Sequence, residues 1–173
     1  MVGLFFAATL LFPVLATLAL AFDLIRLVTG HSRFVAIRLT IVGWVYLGSE
    51  VVGIAALGAV WLATGGGRMR RPFIGGTYAI QRWWAGTLFS VIRRLFGLRV
   101  EVEGSEVVAP GPIHVFMRHA SIIDNLLPSA LITAPHGIKL RYVLKRELLS
   151  DPALDIAGSR LPNCFVDRAG GGT

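Results

Sequence analysis

Twenty consecutive residues, Gly3 to Phe22, carry no charge. As an α-helix rising about 1.5 Å per residue they extend about 30 Å, the thickness of a hydrocarbon core, so a bilayer is the first solvent this chain must satisfy. A cleavable secretory leader is the competing reading, because Ala19-Leu20-Ala21 resembles a cleavage site. Against it, no basic residue precedes the run, which also exceeds the roughly 7–15 apolar residues usual in a leader. A second stretch, Leu39 to Thr64, is also long enough but holds Glu50 near its middle. An ionised carboxylate in hydrocarbon costs about 2.5–3.5 kcal/mol. Glu50 is therefore expected to be protonated, turned toward a partner, or brought to the interface by a tilted or half-embedded helix.

Charge divides the rest of the chain from this part. Residues 1–64 hold five charged side chains and residues 65–173 the other twenty-two. With 54% apolar and 16% charged residues, the 173-residue chain is neither a disordered segment nor an ordinary soluble domain, which carries about 25% charge. Seventeen Lys and Arg against ten Asp and Glu give +7, and fifteen of the seventeen are Arg. That excess calls for an anionic partner. No Lys-rich tail or recognition motif accompanies it, so lipid phosphate is expected rather than nucleic acid. The basic residues after the second stretch favour a cytoplasmic-membrane protein with its C-terminal part on the cytoplasmic side. Cys164 is the only cysteine, which excludes an intramolecular disulfide; it reads as a small buried hydrophobe in a strand.

Three regions follow: membrane-embedded helices over 1–64, a Gly65-Gly66-Gly67 linker with a basic amphipathic helix over 65–97, and a partial α/β domain over 98–173. In the middle region Ile80, Trp84, Leu88, Val91, Ile92 and Leu95 fall at helical spacing, with Arg82 and Arg93 on the other side. Trp83 and Trp84 suit such a helix to the headgroup layer; packing on the protein's own core is the alternative. From Leu98 the period becomes two. Residues 98–103 and 113–117 read as strands, Ser121 to Ile132 as a helix, and Arg141–Leu144 and Asn163–Val166 as further strands around a Pro152 turn. The expected class is α/β with a mixed or parallel sheet behind hydrophobic membrane helices.

Chemistry is concentrated at Arg118-His119-Ala120-Ser121-Ile122-Ile123-Asp124. On one ideal helix His119 and Asp124 would stand about 140° apart. A strand ending at His119 and a helix beginning near Ser121 would supply a bend, letting the carboxylate reach back to orient the imidazole while the other ring nitrogen takes a proton from an attacking hydroxyl. The same residues also form a capping box, Ser121-x-x-Asp124, which is the alternative reading. His114 and His136 lack the surrounding ligand spacing of a metal site, and none is expected.

This block, with Lys145-Arg146-Glu147-Leu148 before Pro152 and with Phe165-Val166-Asp167-Arg168, resembles the three ordered motifs of the glycerolipid acyltransferase family, the lysophosphatidic acid acyltransferases and their relatives. The resemblance implies a membrane-associated enzyme that needs no cofactor. It would move a fatty acyl group from an acyl-CoA or acyl-carrier-protein thioester onto a lysophospholipid acceptor, 1-acyl-sn-glycerol 3-phosphate, forming phosphatidic acid. His119 becomes the general base, Asp124 its orienting partner and Arg168 the acceptor's phosphate fork, with Arg118, Lys145 and Arg160 as further phosphate contacts. Another lysophospholipid or glycerol 3-phosphate is the alternative acceptor, and a non-catalytic protein binding anionic lipid is the alternative class. Two departures stand out: Arg118 replaces the family's common Asn, and no Glu-Gly-Thr-Arg-like segment precedes Thr173. The chain is accordingly expected to be truncated and weakly active or inactive by itself.

Overall fold

A computed structural model describes residues 1–30, 33–109, 111–118 and 121–167. Three long helices dominate: α1 (Val2–Val28), α2 (Val35–Ala63) and α3 (Arg70–Phe96). Both α1 and α2 are long and apolar enough to cross a membrane, with mean hydropathies of 2.3 and 1.7. Pro13 lies inside α1. Its missing N–H removes one intrahelical bond, an interruption tolerated in apolar helices.

Helices α1 and α2 pack antiparallel. Trp44 sits between Phe5 and Phe12, with ring centroids 6.2 and 5.2 Å away, and its indole N–H donates to Thr9 Oγ1 at 3.0 Å. Phe34, at the N-cap of α2, offers no side-chain cap. Asp23 supplies it from α1: its two carboxylate oxygens accept from the N–H groups of Ala36 (3.1 Å) and Ile37 (2.9 Å). These are orphan donors of the first helical turn, and their bonds, with the Arg26 charge on the same helix, hold a carboxylate only 2% exposed.

Helices α2 and α3 form a second antiparallel pair. Gly65, Gly66 and Gly67 all take positive φ, where glycine alone is unstrained, and Gly66 N–H and Met69 N–H close the turn on Trp61 O and Thr64 O. The expected linker is thus a hydrogen-bonded turn. Gly76 lies against Val60, Gly53 against Trp84, Val45 and Tyr46 against the Ala85–Leu88 cluster, and Arg38 over Phe96. The expected amphipathic helix begins at Arg70, ten residues before Ile80, the first of its spaced apolar residues, and its apolar face covers α2.

Beyond Gly97 the elements among the described residues are short. A helical run holds a 3-10 turn (Ile122–Leu126), a π turn (Ser129–Thr133) and α4 (Ala134–His136), and ends at left-handed Gly137. Then follow β1 (Val143–Lys145), α5 (Pro152–Arg160) and β2 (Cys164–Val166). The strands are parallel, pairing Val143 with Cys164, Leu144 with Phe165 and Lys145 with Val166.

The expected α/β sheet is corrected in four respects. Among the described residues the molecule is mostly helical and has only this two-stranded parallel sheet. Residues 98–103 and 113–117 form no ladder, and Val102, Val115 and Phe116 stay exposed; alternation makes a strand only where another strand lies alongside to bond it. Pro152 begins a helix rather than marking a turn, its absent N–H being harmless at the first helical position. Cys164 is in a strand as expected but exposed, because two strands cannot enclose both faces.

Candidate functional site

Ser121 is extended (φ −144°, ψ 154°) and the next residues turn into the 3-10 helix, so the chain bends at the start of the His-x4-Asp block's helix. Asp124 Oδ2 accepts from Ser121 N–H at 2.7 Å, and Ser121 Oγ accepts from Ile123 N–H at 3.4 Å. The capping box is therefore formed, and it folds the Asp124 carboxylate back toward the end of the turn from which the chain arrives. His119, the expected base, lies outside the described residues. Arg118 is exposed. Ile123 and Leu126 anchor the block on Ala85 and Leu88 of α3.

The second and third motifs meet through the sheet. Because Lys145 pairs with Val166 in parallel register, Lys145-Arg146 and Asp167 emerge from the same strand ends, and Arg146 Nε lies 2.9 Å from Asp167 Oδ1. Both partners are more than half exposed, so this ion pair adds little stability. Carboxyl ends of parallel strands are where ligands of open α/β units bind, since the ladder ends there and the loops open. Arg168, the expected phosphate fork, lies outside the described residues.

Several contacts fix that edge. Tyr78 of α3 donates its hydroxyl to Leu140 O at 3.2 Å, with Lys139 Nζ 5.8 Å from its ring centre. Asn163 accepts from Tyr142 N–H and donates to Gly158 O, tying β1, α5 and β2 together. Burial raises the Tyr142 hydroxyl to about 12, with Tyr78 contributing, and burial also raises Tyr78.

Arg160 is engaged elsewhere: its Nη1 donates to Leu57 O of α2 at 2.8 Å and its guanidinium covers Phe73 at 4.9 Å. Burial pulls its pKa below the usual value. At the opposite end of α5, Glu50 Oε2 accepts from Ala153 N–H at 3.3 Å, while Tyr46 donates its hydroxyl to the Asp151 carboxylate. Asp151 also caps α5, accepting from Leu154 N–H at 3.0 Å. Glu50 and Leu57 are two turns apart on α2, as Ala153 and Arg160 are on α5, about 10.5 Å in each case. Helix α5 therefore lies along α2 in the same direction, clamped at both ends. Sequence reasoning missed this joint, although Asp151-Pro152, an N-cap residue followed by proline at the first helical position, signals the helix that makes it.

Set against protein-family models, curated proteins and solved structures, the chain matches none.

Proposed function

We propose that this chain is a membrane-associated O-acyltransferase, transferring a fatty acyl group from a CoA or carrier-protein thioester to 1-acyl-sn-glycerol 3-phosphate. The observation that carries the reading is the parallel register of β1 and β2, which gathers two of its three motifs, separated by about twenty residues, at one strand edge. The folded-back Asp124 and the two apolar helices are further support. In this reading the motif residues form an α/β acyltransferase site. His119 takes the proton of the acceptor hydroxyl, Asp124 orients it, and the oxygen attacks the thioester carbon as the thiolate leaves with the electron pair. A thioester is already activated, so positioning and one general base, worth about 10²–10⁴, supply most of the gain. Arg168 forks onto the acceptor phosphate, with Arg118 and Lys145 adding positive charge.

The test is thioester-dependent acylation of lysophosphatidic acid by membranes carrying the chain. His119→Ala should lower the rate at least about 10²-fold. Unchanged activity in that variant would reject the base. Arg168→Lys should raise the acceptor KM far more than the donor KM, since only the acceptor's phosphate uses the fork.

A further inference from the structure

Along α3, Arg82, Gly86, Ser90 and Arg94 follow one another at four-residue intervals and form a single row, with Trp83 beside it. This row is the floor of an open groove of about 590 Å³, whose other wall includes Ala134 of α4. The volume is that of a small-molecule site. Both of its arginines are exposed, and neither forms an ion pair among the described residues. The whole helix bears five arginines and no carboxylate. A Cβ added to Gly86 would meet nothing within 4 Å, so no packing contact requires glycine there; its absent side chain leaves the middle of the groove open.

We propose that this groove binds the headgroup of an anionic glycerophospholipid drawn from the bilayer. Arg94 engages the phosphate together with the Ser90 hydroxyl one turn away, Arg82, about 18 Å along the helix, adds positive charge at the other end of the groove, and Trp83 lies against the glycerol and upper acyl region. Charge complementarity selects an anion, because guanidinium forks fit phosphate oxygens and, among the described residues, no carboxylate pairs with them. The lipid, rather than a soluble phosphate, follows from the setting: α3 packs along α2, one of the two apolar helices, and Trp83, 43% exposed, stands at the rim. Tryptophan favours the interfacial layer. No described residue of the acyltransfer motifs lines the groove, and the proposal does not depend on that reading.

The test uses the purified chain in neutral detergent micelles doped with phosphatidylglycerol or phosphatidylcholine brominated on the acyl chains. Bromine quenches nearby tryptophan, and subtraction of the Trp83→Phe protein isolates the groove signal. Phosphatidylglycerol should quench Trp83 at about thirty-fold lower mole fraction than phosphatidylcholine, the selectivity two basic side chains provide at an anionic lipid surface. The double variant Arg82→Gln, Arg94→Gln should abolish the difference. Gly86→Leu, which retains every charge but fills the floor, should weaken the phosphatidylglycerol signal several-fold. Inorganic phosphate at matched ionic strength should leave quenching unchanged. Equal quenching by both lipids, selectivity surviving the double arginine variant, a phosphatidylglycerol signal unchanged by Gly86→Leu, or displacement by inorganic phosphate would each overturn the proposal.

Discussion

Helices α1 and α2 pass the same test of length and apolarity, yet the fold treats them differently. Across its most apolar stretch α1 has no buried residue, whereas 22% of the corresponding stretch of α2 is enclosed. Leu10 of α1 is 82% exposed and Leu57 of α2 is 1% exposed. Each helix contains one buried carboxylate, but Asp23 caps the neighbouring apolar helix, while Glu50 holds α5 of the C-terminal part. Helix α1 leaves most of its surface uncovered outside the face that meets α2. Helix α2 gives one face to α1 and others to α3 and α5, which makes it the beam on which the motif-bearing part is mounted. Similar hydropathy therefore does not imply a similar environment, because hydropathy does not record what other segments cover.

The sharpest way to break that contrast is to truncate one leucine from each helix. Leu57→Ala should cost about 2–5 kcal/mol through the cavity it leaves in a packed site. Leu10→Ala should change stability by less than about 0.5 kcal/mol. Denaturant unfolding in detergent reads both, and equal losses would erase the distinction.

Next in size is the pair of carboxylates. Glu50→Ala strands the buried Ala153 N–H and should cost about 1–3 kcal/mol, with faster amide exchange concentrated in residues 153–160. Asp23→Ala removes a helix cap worth about 0.5–2 kcal/mol and should loosen the first turn of α2 while α5 stays protected. Exchange spreading to α5 in the Asp23 variant would show that the two joints are not independent.

Smaller effects are expected at two glycines of the bundle. A Cβ at Gly76 would approach Val60 Cγ1 to 2.9 Å, so Gly76→Ala should destabilise by about 1 kcal/mol or more, since Val60 is β-branched and cannot swing aside. Gly43→Ala, with open space over the site, should stabilise by up to about 1 kcal/mol through helix propensity. Opposite signs of the two thermal shifts are the outcome to check.

The last effect is confined to alkaline pH. A tyrosine ionises near 10 when unfolded, whereas Tyr142 ionises at about 12 in the fold because burial disfavours its anion. Between these values the unfolded chain has released the proton and the folded chain retains it. The associated stability is complete below pH 10 and is lost as pH rises through 10 to 12. Tyr142→Phe should flatten that part of the stability profile.

What was legible depends on how far apart the deciding residues stand. The uncharged run of α1, the helical spacing of α3 and the Ser121–Asp124 capping box are local patterns, and each reappears in the molecule. Residues 98–103 have an equally clear local pattern but no partner, so the alternation did not make a strand. Strand β1 found its partner twenty-one residues away, across a helix that was read as a turn. For Glu50 the sequence left three outcomes open, and the fold takes the one in which the carboxylate turns to a partner, a backbone N–H on α5. No spacing rule links positions 50 and 153.

By itself the amino-acid sequence determined which segments are apolar, where the basic residues accumulate and which short blocks bring histidine, carboxylate and arginine side chains together in the chain. These are sums over neighbouring residues and need no knowledge of the rest of the chain. Only the tertiary structure decided which face of α2 is withdrawn from lipid, and it placed Lys145-Arg146 beside Asp167. Both outcomes require distant segments to cover one another. Covering a surface or completing a ladder is a property of pairs, which no single stretch of sequence contains.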